Sequence, residues 1–366
     1  MRMSPRQRRV TPVRPHRPFP ARRRTHETFA GLVGLVGLAA AALLSSACGT
    51  PSGPASEDAS APTGAQRFLS LGTAPVGGAF FVVGGALAEV ASAHGPGWKV
   101  TAEATKGSRE NIRRLAQGEL EFGLSNSAIT YFAVRGERGW DRAYPVRSVM
   151  TLAPNVALFV TPRSSGITSI AQLTGRRVVI GPAGAGFEMF VGPILEAHGV
   201  TLEQLTVLHN TQSASVDMLA DGSADAAFLG GAVPTPSIVQ AATSMDLVFL
   251  PYSARQDLID AFPFFRPVTV PAGTYPGMDQ DFAGLATGAM HLITAASTDP
   301  DLVYAMTKAI YEHRAEVVER HPAGRAINPK NVIIDPGTPF HPGAVRFYRG
   351  IGIWPLATPE PDAAAP

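Results

Sequence analysis

The residues best placed to do chemistry here are backbone donors in glycine turns and short polar side chains beside them, not a set of acids, bases or nucleophiles. Leu71–Val90 reads LGTAPVGGAFFVVGGALAEV: an apolar run that turns at Gly72, Pro75, Gly77 and Gly78 and resumes as an apolar helix. A strand that feeds a glycine turn and then a helix start leaves several N–H groups unpaired at the positive end of the helix dipole, so the turn is a candidate anion cradle. It lacks the Gly-Lys-Ser/Thr of a phosphate loop and the spacing of a dinucleotide fingerprint. A second unit of the same design, RRVVIGPAGAGFEMFVGPILEAHG, follows from Arg176. No HExxH or zinc-like Cys/His spacing occurs, and Gly123-Leu-Ser125-Asn-Ser127 lacks the closing glycine of a nucleophile elbow. His313 and His321 are expected at the surface of a charged helix. Catalysis is not the expected function, and no cofactor or metal is called for.

The elements that hold these turns alternate strand, loop and helix from Gln66 onward. RFLSL, WKVTAEAT and LEFGLSNS read as strands, and FFVVGGALAEVASAHG, a helix capped at Ser108 and SAITYFAVRG lie between or after them. SVMTLAPNVALFVTP reads as strands and GITSIAQLTG as a short helix. SASVDMLADGSADAAFLGG is a helix and strand whose Asp217, Asp221 and Asp225 form a solvated edge. Residues 262–277 form a return segment with Tyr275 a possible ligand contact, and an amphipathic helix carries Leu302, Met306 and Ile310 on one side. The alternation predicts α/β layers with largely parallel sheets, whose ligands bind beyond the carboxyl ends of the strands.

The N-terminal stretch has a different purpose. The first 24 residues hold nine arginines and no acid, and Phe29–Leu44 is uncharged, so residues 1–47 read as a secretory signal. Its apolar part, about 16 residues, is short of the roughly 20 that span a bilayer. Cys48, the single cysteine, follows Ser45-Ser46-Ala47 and resembles the lipidated cysteine of a bacterial lipobox, although Ser45 stands where Leu is usual. Arg23-Arg24 is a weak twin-arginine signal. Residues 48–65, rich in Pro, Ser, Ala and Gly, form a flexible tether to the membrane. Beyond the leader the balance is 22 basic to 28 acidic residues, so the basic character belongs to the leader and nothing points to nucleic acid. One cysteine allows no disulfide framework.

Five segments in order, GTAPVGG, TKGSRENIRRLAQGELEFGLSNS, GRRVVIGPAGAGFE, MLADGSADAAFLGGAVP and VPAGTYPGMDQDF, resemble the TAXI class of solute-binding proteins, the extracytoplasmic receptors of TRAP transporters. The resemblance runs from about Phe68 to Ile353. It implies a two-lobed type II periplasmic-binding-protein fold, with residues 66–155 and 284–366 in lobe I, 156–283 in lobe II, and the ligand in the cleft between them. It also implies a monomer that delivers a small organic anion to an integral-membrane TRAP permease. An ABC-importer receptor or a ligand sensor of the same fold is the alternative.

On that frame Thr73, Gly77 and Gly78, then Ser108 and Asn111, and Ser125, Asn126 and Ser127 are the ligand-binding candidates of one lobe. Gly184, Ala185 and Gly186, with Gly231, are those of the other. Ser108 could equally cap its helix, Arg109 and Arg113 could form a solvated face with Glu110, and Glu188 is read as a helix N-terminal acid. Family members commonly read Gly-Gly-Thr-Tyr-Tyr where this chain has Gly77-Gly78-Ala79-Phe80-Phe81, and Gly-Ser-Gly-Thr where it has Gly184-Ala185-Gly186-Phe187. Phe80, Phe81 and Phe187 therefore join the candidates. The missing hydroxyls point to an anion with an apolar side, and make glutamate a poorer fit than in the family at large.

Overall fold

Two strand–turn–helix units of like design build the two halves of the molecule. The structure is a computed structural model that describes residues 66–252 and 256–355; the leader, Cys48, the linker and the C-terminal tail lie outside the described residues. The first half runs β1 (Arg67–Gly72), α1 (Ala79–His94), β2 (Trp98–Glu103), α2 (Ser108–Gln117), β3 (Phe122–Asn126) and α3 (Ser127–Ala133). A long strand β4 (Val146–Pro162) leads to the second half, β5 (Arg177–Val179), α4 (Glu188–Glu196), β6 (Thr206–Leu208), α5 (Gln212–Ala220), β7 (Ala226–Gly231) and α6 (Pro236–Ser244). The return passes through β8 (Leu247–Phe249), α7 (Gln256–Ala261), β9 (Phe265–Val270) and a second long strand β10 (Phe282–Ala295), and ends in α8 (Pro300–Glu312), α9 (Arg314–Arg320) and α10 (Pro342–Gly350).

The strands form one sheet in the order β2-β1-β3-β10-β4-β7-β5-β6, with β8 on β4 and β9 on β10. The outer trios are parallel and share one internal order, 2-1-3 in the first half and 6-5-7 in the second. Between them β4 and β10 run antiparallel to each other and to the trio each adjoins. This is the two-lobed α/β fold expected from the sequence, with two strands crossing between halves.

Burial explains the elements. In α2, Ile112 and Leu115 are buried on one face, and Gly118 ends the helix in the left-handed region at φ 75°, a position glycine takes without steric cost. Leu302, Val303, Met306 and Ile310 of α8 share a core with Leu69 and Leu71 of β1 and Val83 and Leu87 of α1, so the C-terminal helices return to the first half as expected. A second core joins Ile112 and Phe132 to Phe159, Phe190 and Phe262, and a third fills the α5–α6 side. The described residues 66–355 belong to one compact unit.

Several expectations are corrected. SVMTLAPNVALFVTP is one strand of 17 residues with its preceding pair, not several strands. GITSIAQLTG makes only a 3-10 turn over Ile170–Leu173, closed by a capping box of Ser169 and Gln172. The amphipathic C-terminal helix is two, broken at His313. His321 is not at the surface: it is 4 % exposed, and its Nε2 lies 3.0 Å from the Pro234 carbonyl. Desolvation lowers its pKa, against the bond to Pro234, which favours the charged form. Tyr275 is buried against Phe249, and its hydroxyl accepts the Thr235 N–H at 2.9 Å. Asp225 is not a free edge acid; it takes Arg177 through both carboxylate oxygens, which holds its pKa low.

Candidate anion-binding cleft

The loops that follow the parallel strands of both trios meet at one cavity. After β1 come Ala74, Pro75 and Phe80; after β2, Lys106, Gly107 and Ser108; at the end of β3, Asn126 and, in α3, Ile129. The second half supplies Ala185, Phe187 and Phe190 after β5 and Gly230 at the end of β7, and the crossing strand β4 adds Asn155. This is the carboxyl-end position at which open α/β sheets bind ligands. A larger hollow, about 540 Å³, lined by Ser169, Glu196, His198 and Tyr252, lies in the second half alone. The cleft cavity is about 40 Å³. Sites that enclose drug-sized ligands run to roughly 300–1,000 Å³, well above this volume.

The walls are mostly apolar, and no carboxylate lines them. What the cavity offers instead is helix starts. Phe80 lies in the first turn of α1, Gly107 and Ser108 are the N-cap and first residue of α2, and Phe187 is the N-cap of α4. Each such end leaves backbone N–H groups without an intrahelical acceptor and carries partial positive charge, worth roughly 0.3–1 kcal/mol toward an anion. The start of α3 is already satisfied, because the Asn126 side chain accepts the Ala128 N–H at 2.8 Å. Lys106, exposed at the mouth, adds a full positive charge, and its ammonium has no ion pair among the described residues.

The polar side chains are held in place from behind. Ser108 Oγ accepts the Asn126 backbone N–H at 2.9 Å. It is therefore not the helix cap; Gly107 is, at φ 108°, with no side-chain bond. Asn126 Nδ2 donates to the Thr287 carbonyl, and Asn155 Nδ2 donates to Thr287 Oγ1 at 2.8 Å. β10 thus positions both amides at the cavity floor.

Of the residues singled out in the sequence, Phe80, Ser108, Asn126, Ala185 and Phe187 line the cavity; the others do not. Thr73 is fully buried, with its hydroxyl donating to the Glu103 carbonyl. Asn111 is also fully buried: its Nδ2 donates to the carbonyls of Gly72, Thr73 and Leu124, tying β1 to β3, and its Oδ1 has no partner among the described residues. Ser125 sits in a buried chain in which Thr130 Oγ1 donates to its hydroxyl and lies 2.8 Å from His291 Nε2. Burial holds that imidazole neutral, its pKa lowered to about 3. Ser127 accepts the Ala289 N–H, and Phe81 is half-buried outside the lining.

The glycines do something the sequence reading missed: they let the halves touch. The Gly77 carbonyl accepts the Ser237 N–H at 3.0 Å and the Val76 carbonyl the Ser213 N–H at 3.4 Å, from the starts of α6 and α5. The turn therefore presents carbonyls to the other half, and a Cβ at Gly77, whose φ is +89°, would overlap Ser213. Gly186 lies against Ile129 and Arg109, and Gly231 against Ala79 and Phe80. Gly78 packs near Gln212, while Gly184 faces open space. Arg113 is exposed, as a solvated face requires, while Arg109 is half-buried; their guanidinium groups stand 5.1 and 5.2 Å from the Trp140 ring centroid. Desolvation, with Arg113 beside it and Glu188 opposing, lowers the pKa of Arg109. Glu188 opens α4 as expected but does not line the cavity.

Residues 71–352 match the NMT1-like family. The chain belongs to the NMT1-like family. Its likeness to solved structures is weaker. The alkanesulfonate-binding protein SsuA of Xanthomonas axonopodis pv. citri, bound to MOPS, is 14 % identical over 78 % of this chain and 84 % of that one, with a TM-score of 0.44. The binding-protein component of a Pseudomonas aeruginosa ABC phosphonate transporter is 10 % identical over 70 % and 79 %, with a TM-score of 0.47. PhnD1 of Prochlorococcus marinus, in complex with methylphosphonate, is 8 % identical over 71 % and 91 %, with a TM-score of 0.48. No helix among the described residues of this NMT1-like chain is long and apolar enough to cross a membrane.

Proposed function

We propose that this NMT1-like protein is an extracytoplasmic receptor that closes its two halves on a small organic anion and hands it to a membrane importer. The observation that carries this is the convergence of the α1, α2 and α4 starts, with Lys106, on a cavity without carboxylates. Phe80, Ile129, Ala185, Phe187 and Phe190 would hold the apolar part of the solute, while Ser108, Asn126 and Asn155 orient its polar end. Three of the positions where this chain lacks the hydroxyls of the receptors it resembles, Phe80, Ala185 and Phe187, lie in that wall, which supports an apolar-sided carboxylate or a related oxyanion over glutamate. Residues 66–155 with 284–366, and 156–283, would move as lobes about β4 and β10. The solute binds because it interacts better with the closed form, and the importer reads that form.

The resemblance in five segments supports a TRAP permease as partner, and the ABC components named among the similar structures keep an ABC importer beside it. Export through the signal, and anchoring through Cys48, complete the reading. A panel of carboxylates, sulfonates and phosphonates tested by thermal shift and calorimetry decides the receptor. One or more apolar-sided anions should raise the melting temperature and bind with one-to-one stoichiometry. Binding of glutamate alone would discard the apolar pocket, and binding of none of the three classes would discard the anion receptor. Uptake in proteoliposomes driven by ATP or by an ion gradient then separates the two importers.

A further inference from the structure

The opposite end of α1 carries a cluster of a different chemistry. His94 is the last residue of α1, His313 stands between α8 and α9, and Glu316 lies in the first turn of α9. His94 Nε2 is 2.7 Å and His313 Nδ1 3.5 Å from the same carboxylate oxygen, Glu316 Oε1. The two nitrogens and the oxygen lie within 4.8 Å of one another. The imidazole rings are parallel, 3.3 Å apart between centroids. Tetrahedral zinc, with bonds of roughly 2.0–2.2 Å to nitrogen and oxygen, asks for ligand atoms roughly 3–3.5 Å apart; the two nitrogen–oxygen distances, 2.7 and 3.5 Å, bracket that spacing, so small side-chain rotations bring the three atoms to it.

We propose that His94, His313 and Glu316 form a surface site for a divalent transition metal of the zinc type, with water completing the coordination. Two imidazoles and one carboxylate select such ions over calcium or magnesium, which take oxygen ligands. Two further features favour a cation there. His94 ends α1 and His313 is the C-cap of α8, so the negative ends of two helix dipoles meet at the site, opposed by the positive end of the shorter α9, whose N-cap is also His313. The two elements that supply the ligands are also pinned to each other about one turn away, where Arg320 of α9 makes a two-point pair with Glu89 of α1. For each nitrogen to point at the ion, the rings must hinge out of their stack; His94, exposed at the helix end, has room to do so. The metal would clamp α1 to α9 about 21 Å along α1 from the cleft residue Phe80, at 1.5 Å per residue.

The test uses the full chain, purified without a polyhistidine tag, stripped with chelator and carrying Cys48→Ser so that no thiol competes. Calorimetry with zinc should give one saturable equivalent per chain, and cobalt substitution should give a visible spectrum of low coordination number. Zinc should also raise the melting temperature. His94→Ala or His313→Asn should weaken zinc binding by more than the roughly 10–100-fold that loss of a supporting partner costs. Glu316→Gln should weaken it by about tenfold or more, with unchanged circular dichroism in each variant. Absence of saturable binding, or binding that survives in the His94→Ala, His313→Asn double variant, would overturn the proposal. The solute panel reads the cleft separately, so failure of one leaves the other standing.

Discussion

Gly77→Ala separates the closed form from everything else the turn does. The added Cβ would overlap Ser213 Oγ and stand 2.7 Å from the Ser213 backbone nitrogen. Rotation of the serine relieves the first contact, but the second is with main chain. The clash exists only while the turn rests on α5, so under the proposed closure it falls on the closed state alone. Moving apart forfeits the Ser237 N–H bond to the Gly77 carbonyl and the Ser213 N–H bond to the Val76 carbonyl. At roughly 0.5–1.5 kcal/mol each, closure loses about 1–3 kcal/mol, which is about 5- to 150-fold in solute affinity. The positive φ of +89° adds about 1–2 kcal/mol of strain that acts on open and closed forms alike. Gly184→Ala isolates that strain, because Gly184 has φ +76° and nothing within contact distance. Both variants should melt earlier by similar amounts. Only Gly77→Ala should lose affinity, by calorimetry with the first solute the panel yields, and show a larger radius of gyration by small-angle scattering in its presence. Equal affinities for the two variants would refute the assignment of this turn to closure.

Three other outcomes follow from the same geometry. Lys106→Met should weaken anion binding by about fivefold, the order of an exposed ion pair near 1 kcal/mol, and should flatten the dependence of affinity on salt. Asn111→Ala should cost about 2–4 kcal/mol of stability in denaturant titration, since the carbonyls of Gly72, Thr73 and Leu124 lose their shared donor, while solute affinity in the folded protein stays within about twofold. The third concerns acid. His291 is neutral in the fold with a pKa near 3 against an ordinary 6.5, so the unfolded chain binds the extra proton in that window. Stability should therefore fall as pH drops below about 6.5, by about 2 kcal/mol at pH 5 from this group, and His291→Gln should flatten that slope in urea melts.

The strand–turn–helix units were legible because Gly and Pro punctuate them and because Leu69, Val83, Leu87, Ile112 and Leu115 keep the expected spacing. The crossing strand β10 was not, since FAGLATGAMHLITA places Gly284 and Gly288 inside a run of small residues with no alternation; its identity comes from pairing with β3 and β4, distant in the chain, as well as with the preceding β9. Residue type located the cleft better than it assigned contacts. Ser108 looked like a cap and is instead an acceptor for Asn126, because Gly107 takes the cap at a φ that serine adopts at a cost. Thr73, Asn111 and Ser125 looked like ligand groups, but Thr73 and Asn111 bond to carbonyls in and beside the strands, and Ser125 to the Thr130 hydroxyl of α3. Lys106 lies in the segment TKGSRENIRRLAQGELEFGLSNS but was not singled out there, Asn155 carried no local motif, and only the meeting of loops and crossing strand places them together.

The bonds that join the halves at Val76 and Gly77 are made by main-chain carbonyls, which every residue type carries, and N–H groups, which every type but proline carries. Substitutions at Ala185 and Phe187 therefore change the wall and leave those bonds in place, whereas Phe80 and Ile129 also rest against Gly231 and Gly186 of the other half, so a change there acts on wall and seam together. Part of the wall is thus free to drift with the diet of a descendant, and part is tied to the seam it helps to build.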